Sequence, residues 1–408
     1  MTQATVKNLL LFTTGYPYGK QVETFIDSEL ETMSHTFEQV YIFPSCPKEQ
    51  FVRPIPANFK IIHLDTNWAP YKNRLLYSNL FLIVNILLQE FVNSTNKILF
   101  ISQIKKFKNM LLHRLFESEQ LKKIIVVNDL SEATYYSYWL NDWTITLGIL
   151  KYKKTIKEFI SRAHGFDIYE DRWPGQMIPF RYFQFKMIKH ILSVSQKGST
   201  HLKSKTVFPE KISVSYLGVP EQGTNPYDEV ELFTIVSCSN PIPLKRVHLI
   251  VEILKHVTIP VRWVHFGDGK SLEFIKNKAE ELPLNISYEF KGHVHNQEVL
   301  NYYRNNSINL FIIVSEIEGL PMSLIEACSF GIPVLGTNVG GIPEIINDKT
   351  GIVIPKDFSP ESVAQLIMDF EKSVMNSVDF RAGVKEFWFE NFNSNINYEN
   401  FYNTLIKK

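Results

Sequence analysis

From Glu231 to Thr337 the chain alternates short β-branched runs with helical patterns: LFTIVSCS, HLIVEILKHV, VRWVHFG, SLEFIKNKAEEL, ISYEFKG, QEVLNYYRN, INLFIIVS, SLIEACSF and IPVLGT come in that order. Alternation of this kind is the pattern of βαβ units on a parallel sheet, because parallel neighbours need a crossover and a helix supplies it. Turn residues fall between the elements, with Gly267-Asp268-Gly269 after one strand and Gly331 and Pro333 after one helix. The spacing predicts a Rossmann-like domain over residues 232–385.

The first half begins the same way. Strand NLLLFTT is followed by the turn GYPYG, a helix around ETFIDSELETM and strand QVYIFP, and further strands are predicted at KKIIVVN, TYYSYW, FISRAHG, HILSVS and ISVSYLG. The segment VPEQGTNPYDEVE, residues 219–231, combines Pro, Gly, Asn and acids and reads as an interdomain linker. A chain of 408 residues exceeds one ordinary compact domain. The expectation is therefore α/β: an N-terminal Rossmann-like domain over 1–218 for the acceptor, a donor domain over 232–385 facing it across a cleft, and a C-terminal helix over 386–408 packing back toward the first domain.

Composition narrows the function classes. Lys plus Arg (43) nearly equals Asp plus Glu (42), for a formal charge of +1, which argues against a surface tuned as a whole to nucleic acid. Three distant cysteines, Cys46, Cys238 and Cys328, form no metal-ligand spacing and point to a reduced, cytoplasmic setting. The N-terminal apolar run is too short for a signal peptide or a span. Leu75 to Val92 is apolar but interrupted by Ser78, Asn79, Asn85, Gln89 and Glu90, too polar to cross a bilayer. The next stretch, KILFISQIKKFKNMLLHRL, sets Lys105, Lys106, Lys108 and His113 among apolar residues. It is compatible with peripheral contact at an anionic membrane, the inner face of the cell membrane, although ordinary core and surface helices are the commoner source of such a pattern.

The chemistry concentrates after strand INLFIIVS, where EIEGLPMSLIEACSFG leads from a loop into a helix. Open α/β sheets bind ligands at the carboxyl ends of their strands. Pro321 suits a first helical turn and Gly331 a helix end, so free N–H groups of Met322, Ser323 and Leu324 are expected to favour a phosphate-bearing ligand. Glu318 precedes that anion site and Glu326 lies just inside the helix, so one carboxylate can reach each end of a bound diphosphate ligand. A carboxylate in a first helical turn is also favoured by the helix dipole without any ligand. Downstream, Gly340-Gly341 before Pro343-Glu344 repeats the strand, permissive loop and helix start.

The run Glu318-Gly319-Leu320-Pro321-Met322-Ser323-Leu324-Ile325-Glu326, with FGIPVLGTNVGGIPEII after it, resembles the E-x7-E signature of glycosyltransferase family 4, retaining enzymes of GT-B fold, here of bacterial surface-polysaccharide type. The resemblance covers most of the chain and is strongest in the C-terminal half. It implies that Glu318 contacts the sugar ring, Glu326 the ribose hydroxyls, and the backbone of Gly319, Leu320, Pro321, Met322 and Ser323 the sugar and diphosphate. In SCSNPIPLKRVHLI it implies that Lys245 neutralises the diphosphate; Arg246 beside it is a further donor-binding candidate, although adjacent side chains diverge. The Arg of the family pattern is replaced by Ser239 or Asn240. In SRAHGFDIYED it implies a direct role for His164 near the donor, and Asp167 and Arg162 on the acceptor side or orienting the histidine. Gly15 and Gly19 resemble the N-terminal glycine loop near the β-phosphate, although the family's doubled glycine is absent. His293 and Val294 stand where family members hold the base.

The expected reaction is transfer of a hexosyl unit from a nucleoside diphosphate sugar to an acceptor hydroxyl, with retention. The acceptor is expected to be a glycan or lipid-linked glycan. A double-displacement site needs two carboxylates about 5–5.5 Å apart, and no such pair is evident. The resemblance implies a same-face substitution in which the departing diphosphate takes the acceptor's proton. No Asp-x-Asp stands in a metal context, so neither metal nor cofactor is expected. Competing readings are a GT-B protein that binds nucleotide sugar or a partner without catalysis, and a phosphorylase or sugar-phosphate epimerase on the same architecture.

Overall fold

Residues 6–19, 23–46, 51–227 and 232–406 are described by the computed structural model. The chain divides into two compact units, Met1–Ser215 with Tyr398–Lys408, and Tyr216–Asn397. Among the described residues the first unit holds a parallel sheet of β1 (Val6–Thr13), β2 (Phe37–Pro44), β3 (Phe59–Ile61), β4 (Thr134–Ser137), β5 (Ile160–Ala163), β6 (His190–Ser193) and β7 (Ile212–Val214), in the order β3-β2-β1-β4-β5-β6-β7. The second holds β8 (Phe233–Cys238), β9 (Val261–Phe266), β10 (Ile286–Gly292), β11 (Leu310–Ile313), β12 (Val334–Thr337) and β13 (Gly351–Ile354), in the order β10-β9-β8-β11-β12-β13. Each is a Rossmann-like sheet.

The sheets are covered on both faces. Leu9 to Phe12 are fully buried, as are Ile235, Val236, Leu310 and Phe311, which is why these strands read as continuous apolar runs. In each unit the strand order reverses once, between β1 and β4 and between β8 and β11. Loops leaving two such neighbours diverge and open a crevice at their carboxyl ends. The loops of interest, 14–19 and 138–141 in the first unit, 239–246 and 314–321 in the second, sit at these switch points.

Three expectations change. The run KKIIVVN is the last part of a helix, Lys97–Val127, not a strand. Leu121 and Ile125 are buried beside Leu10 and Trp143 while Val126 and Val127 are exposed, so helical continuity and one buried stripe outweigh β-branched propensity. The C-terminal segment is two helices, Val378–Phe392 and Ser394–Ile406, separated by Asn393 in extended conformation, and residues from Tyr398 onward belong to the first unit. Residues 219–227 of the expected linker are attached to the second unit: Val219 bridges Asn393, and buried Asn225 donates from Nδ2 to Asn306 O at 2.8 Å. Residues 228–231 lie outside the described residues. Among the described residues, no single helix is long and apolar enough to cross a membrane.

Candidate active site

In the second unit the loop after β11 meets the loop after β8. Glu318 is 7% exposed, and its Oε1 accepts from Lys245 Nζ at 2.5 Å and from Ser315 Oγ at 2.7 Å. The loop is fixed from both sides, since Glu316 N donates to Leu244 O at 2.8 Å and Gly341 N to Gly319 O at 2.6 Å. Gly340 has φ 53°, and a Cβ there would stand 2.0 Å from Glu318 O, so only glycine lets the two loops approach this closely. The main-chain shape around Glu318 is therefore set by residues more than twenty positions downstream.

Pro321 precedes the helix Met322–Ser329, and no side chain caps it. The N–H groups of Met322 and Ser323 have no acceptor among the described residues, whereas Leu324 N already bonds Pro321 O at 3.2 Å. Two donors, not three, are thus presented, at the positive end of a helix dipole. Four residues into this helix Glu326 accepts from Asn296 Nδ2 at 2.9 Å, and burial pushes its carboxyl up to about 7. Asn296 opens the helix that follows the loop bearing His293 and Val294. The end of β10, just before that loop, is tied to the exit of β9 by Gly267 N, which donates to Gly292 O at 2.9 Å. Cys238, at the end of β8, has its thiol pushed up to about 12, chiefly by burial, and is no nucleophile at neutral pH.

Arg246 departs from expectation. With φ 49° it turns its guanidinium away from Lys245. Nε donates to Val314 O at 2.8 Å and Nη2 to Lys356 O at 3.0 Å. These bonds clamp the exits of β11 and β13, so Arg246 is a loop-fixing residue rather than a diphosphate contact.

In the first unit His164 follows β5 and is 7% exposed. Its ring lies 4.4 Å from that of Trp139 and 5.2 Å from that of Tyr138, centroid to centroid, and Nε2 is 3.2 Å from Tyr138 O. Burial, and after it the charge of Arg162, holds its pKa well below the ordinary histidine range, so the imidazole is neutral at pH 7. Asp167 Oδ1 accepts from His164 N at 2.6 Å and Oδ2 from Leu140 N at 2.7 Å, which ties the segment after β5 to the loop after β4. Burial pushes Asp167 up to about 7, and it is only 1% exposed. Arg162 is corrected more fully. It is wholly buried, paired with Glu29, with its guanidinium carbon 3.9 Å from the ring centroid of Phe401, so it holds the unit together and is not on an acceptor surface.

The main residue that sequence reasoning missed is Glu23. Its carboxylate accepts three successive main-chain donors, from Thr14 N at 3.0 Å, Gly15 N at 2.8 Å and Tyr16 N at 2.6 Å, and also the indole N–H of Trp139. Glu23 itself has φ 53°, and Gly19 ends the same loop with φ 72°. The turn that carries Gly15 is thus an anion-binding nest filled by a carboxylate of the chain itself. No local signal marks Glu23, which lies eight residues from Gly15 without a motif; Ser315 and Asn296 were missed for the same reason.

Residues 228–385 match the model of the family described as Glycosyl transferases group 1. An Escherichia coli K12 protein with the provisional name colanic acid biosynthesis glycosyltransferase WcaL is 26% identical over 223 residues, 51% of this chain and 54% of that one. The GDP-mannose-dependent alpha-(1-6)-phosphatidylinositol monomannoside mannosyltransferase of Mycobacterium tuberculosis H37Rv is 26% identical over 167 residues, 38% of this chain and 43% of that one. The matches thus span about half the length of these curated relatives. Among solved structures, the lipopolysaccharide outer core galactosyltransferase WaaB has a TM-score of 0.69 at 14% identity, covering 98% of this chain and 99% of that one. Anabaena Alr3699/HepE in complex with UDP-glucose has 0.65 at 11%, covering 97% and 99%. These full-length likenesses show the fold, GT-B with its two Rossmann-like domains.

Proposed function

We propose that the chain is a retaining glycosyltransferase of family 4 type, moving a hexosyl unit from a nucleoside diphosphate sugar to an acceptor hydroxyl during assembly of a surface polysaccharide, lipopolysaccharide or glycolipid. The observation that carries this reading is the Lys245–Glu318 pair beside the uncapped Met322–Ser329 helix: a cation, two free N–H donors and a carboxylate within one switch-point crevice. Donor diphosphate is assigned to Lys245 and to Met322 and Ser323 N–H, which stabilise the charge that grows on it as it leaves. Glu318, released from Lys245 by that exchange, holds the sugar and steadies its developing positive charge. Glu326 takes the ribose hydroxyls. His164, neutral and held by Asp167, is given a direct part in transfer.

Retention follows a same-face path, with the departing diphosphate taking the acceptor's proton, and no metal is required. The relatives' names, colanic acid, O-antigen and phosphatidylinositol monomannoside, support a glycan or lipid-linked glycan acceptor. The test is a panel of nucleotide sugars, scored first by thermal stabilisation and then by donor turnover with and without EDTA. Turnover by wild type that Glu318→Ala abolishes is expected. Loss of turnover in EDTA with recovery on Mg²⁺ or Mn²⁺ would reject metal independence, and an inverted product would reject retention.

A second reading has one observation behind it. Ser239 or Asn240 stands where the family pattern has Arg, and Arg246 is committed to carbonyls, which leaves Lys245 as the cation of that loop. A protein that binds nucleotide sugar without transferring it fits this too. Stabilisation by a nucleotide sugar with no hydrolysis or transfer, in wild type as in Glu318→Ala, would favour it.

A further inference from the structure

Arg381, Lys385 and Trp388 stand on one face of the helix Val378–Phe392, spaced four and three apart. Residues 221–227 of the second unit lie against that face. Lys385 Nζ donates to Gly223 O at 2.7 Å and to Thr224 Oγ1 at 3.0 Å, and Arg381 Nη2 donates to Asn225 Oδ1. Between helix and segment is a cavity of about 590 Å³, walled by Tyr227, Val378, Arg381, Ala382, Trp388 and Phe389. Sites for small molecules run from roughly 300 to 1,000 Å³ and are mostly apolar with a few placed polar groups.

Two donors in that wall lack acceptors. Arg381 is 4% exposed and Trp388 fully buried, yet Nη1 of Arg381 and the indole N–H of Trp388 have no hydrogen-bond partner among the described residues. Buried polar groups are nearly always paired, and a buried charge without its counterion is the costliest exception. Arg381 is such a charge. Its guanidinium carbon lies 4.7 Å from the ring centroid of Tyr227, but among the described residues no carboxylate stands within ion-pair distance of it. Burial lowers its pKa only to about 10, so it stays charged at neutral pH. The acids of the wall do not neutralise it: Glu221 pairs with Lys385 at 2.7 Å, and Glu386, exposed, lies five positions on and so about 140° round the helix.

We propose that this cavity binds a small aromatic acid, whose carboxylate or phosphate pairs with Arg381 and whose ring lies among Tyr227, Trp388 and Phe389. A hydroxyl at the far end of the ligand accepts from the Trp388 indole. The site holds none of the residues assigned to the donor and goes beyond the proposed transfer reaction. It is nevertheless close to the donor helix: Asn225, which accepts from Arg381, donates its own N–H at 2.9 Å to the carbonyl of Phe330, the residue that follows Met322–Ser329.

The experiment is titration calorimetry and thermal melting of the full chain, without nucleotide sugar, against 4-hydroxybenzoate, phenyl phosphate and the neutral 4-hydroxybenzamide. Saturable binding of an acid with a raised melting temperature is expected, and none of the amide. Which acid binds more tightly tells carboxylate from phosphate. Val378, 63% exposed, stands one turn before Arg381, so Val378→Glu supplies a carboxylate from the chain itself. It should weaken acid binding at least about tenfold, while Val378→Gln leaves it unchanged. Arg381→Gln should weaken it by a similar factor, and the exposed Val378 pair keeps the test decisive if that buried substitution fails to fold. Equal binding by wild type and Val378→Glu, equal binding of acid and amide, or no binding of either acid would overturn the proposal; in the last case water alone meets the two donors.

Discussion

Lys245 Nζ reaches across the second unit's switch point to Glu318 Oε1, joining the loop after β8 to the loop after β11. The lysine is partly exposed and the carboxylate nearly buried, so the pair is asymmetric: removing Lys245 leaves a desolvated charge held only by Ser315, while removing Glu318 leaves a lysine that water can solvate. Lys245→Met is expected to destabilise the protein by about 1 kcal/mol and to cut donor turnover roughly a hundredfold. Glu318→Gln should leave the melting temperature near wild type while lowering turnover by a similar factor. Calorimetry and initial rates on the two variants check both halves. Equal stability losses would show that the pair is no more than a structural bridge.

Glu326 makes the crevice beside the Met322–Ser329 helix pH-sensitive. Its carboxyl is raised to about 7 mainly by burial, partly offset by Asn296. A folded-state pKa above the unfolded value means that the group's contribution to stability is present below the unfolded pKa and is lost as pH rises toward 7. Glu326→Gln removes that dependence, so the variant should be more stable than wild type at pH 8, on the order of 2 kcal/mol, and equal to it near pH 4. If ribose hydroxyls donate to this carboxylate, nucleotide affinity must rise with pH from 6 to 8 in wild type and stay flat in the variant. Thermal melts and titration calorimetry with UDP-glucose, whose phosphates do not titrate across that range, give the answer.

Glu318 and Glu326 could be read from sequence because a loop and the first turns of one helix hold them, so spacing alone fixes their geometry. The strands were legible for a similar reason, since each is buried on both faces and appears as an unbroken apolar run. What could not be read depends on elements brought together by the sheet. Arg162 looks like a polar residue at a strand end until Glu29, 133 positions away, is placed beside it. Glu23 has no pattern of its own, yet the crossover from β1 carries it back to the loop it started from. The run KKIIVVN has strand-like residues, and only the burial of Leu121 and Ile125 on one helical stripe overrules them. Adjacent side chains diverge, which separates Arg246 from Lys245, but that its φ of 49° aims it at the carbonyls of Val314 and Lys356 is set by the packed strands.

Glu23 and Trp139 do in the first unit what Lys245 and Glu318 do in the second: they join the loops that leave the two strands flanking the switch point. Glu23→Ala takes one acceptor away from three main-chain N–H groups and an indole. The expected cost is about 2 kcal/mol, since some of these donors are reached by water once the side chain is gone. The ring of Trp139 lies against His164, so the loss should also move the indole and change the tryptophan emission maximum. An emptied nest is an oxyanion site, and added acetate or formate should restore part of the lost stability in Glu23→Ala but not in wild type. Absence of rescue at any carboxylate concentration would mean that the loop collapses instead of remaining open.

The C-terminal helix closes the first unit around a buried charge. Glu29 accepts from Arg162, from Tyr138 Oη at 2.8 Å and from Tyr402 Oη at 3.0 Å, while the Arg162 guanidinium lies over the Phe401 ring. Among the described residues Nε and Nη2 of Arg162 have no hydrogen-bond partner and are enclosed by aromatic rings, so the site tolerates little loss on either side. Arg162→Met should destabilise by about 3–5 kcal/mol, because it strands the Glu29 carboxylate in the interior. Glu29→Gln added to it should recover part of that loss, as the remaining amide can still pair with both tyrosine hydroxyls. Tyr402→Phe removes one hydrogen bond and should cost about 1 kcal/mol. A chain ending at Asn397 loses Tyr398, Phe401 and Tyr402 together and exposes the ion pair to water, so its loss should exceed that of Tyr402→Phe while the second unit keeps its own core. Limited proteolysis of the truncated chain reads this directly: cleavage confined to residues before Ser215 is expected, and even cleavage across both units would show that the helix stabilises more than the unit it completes.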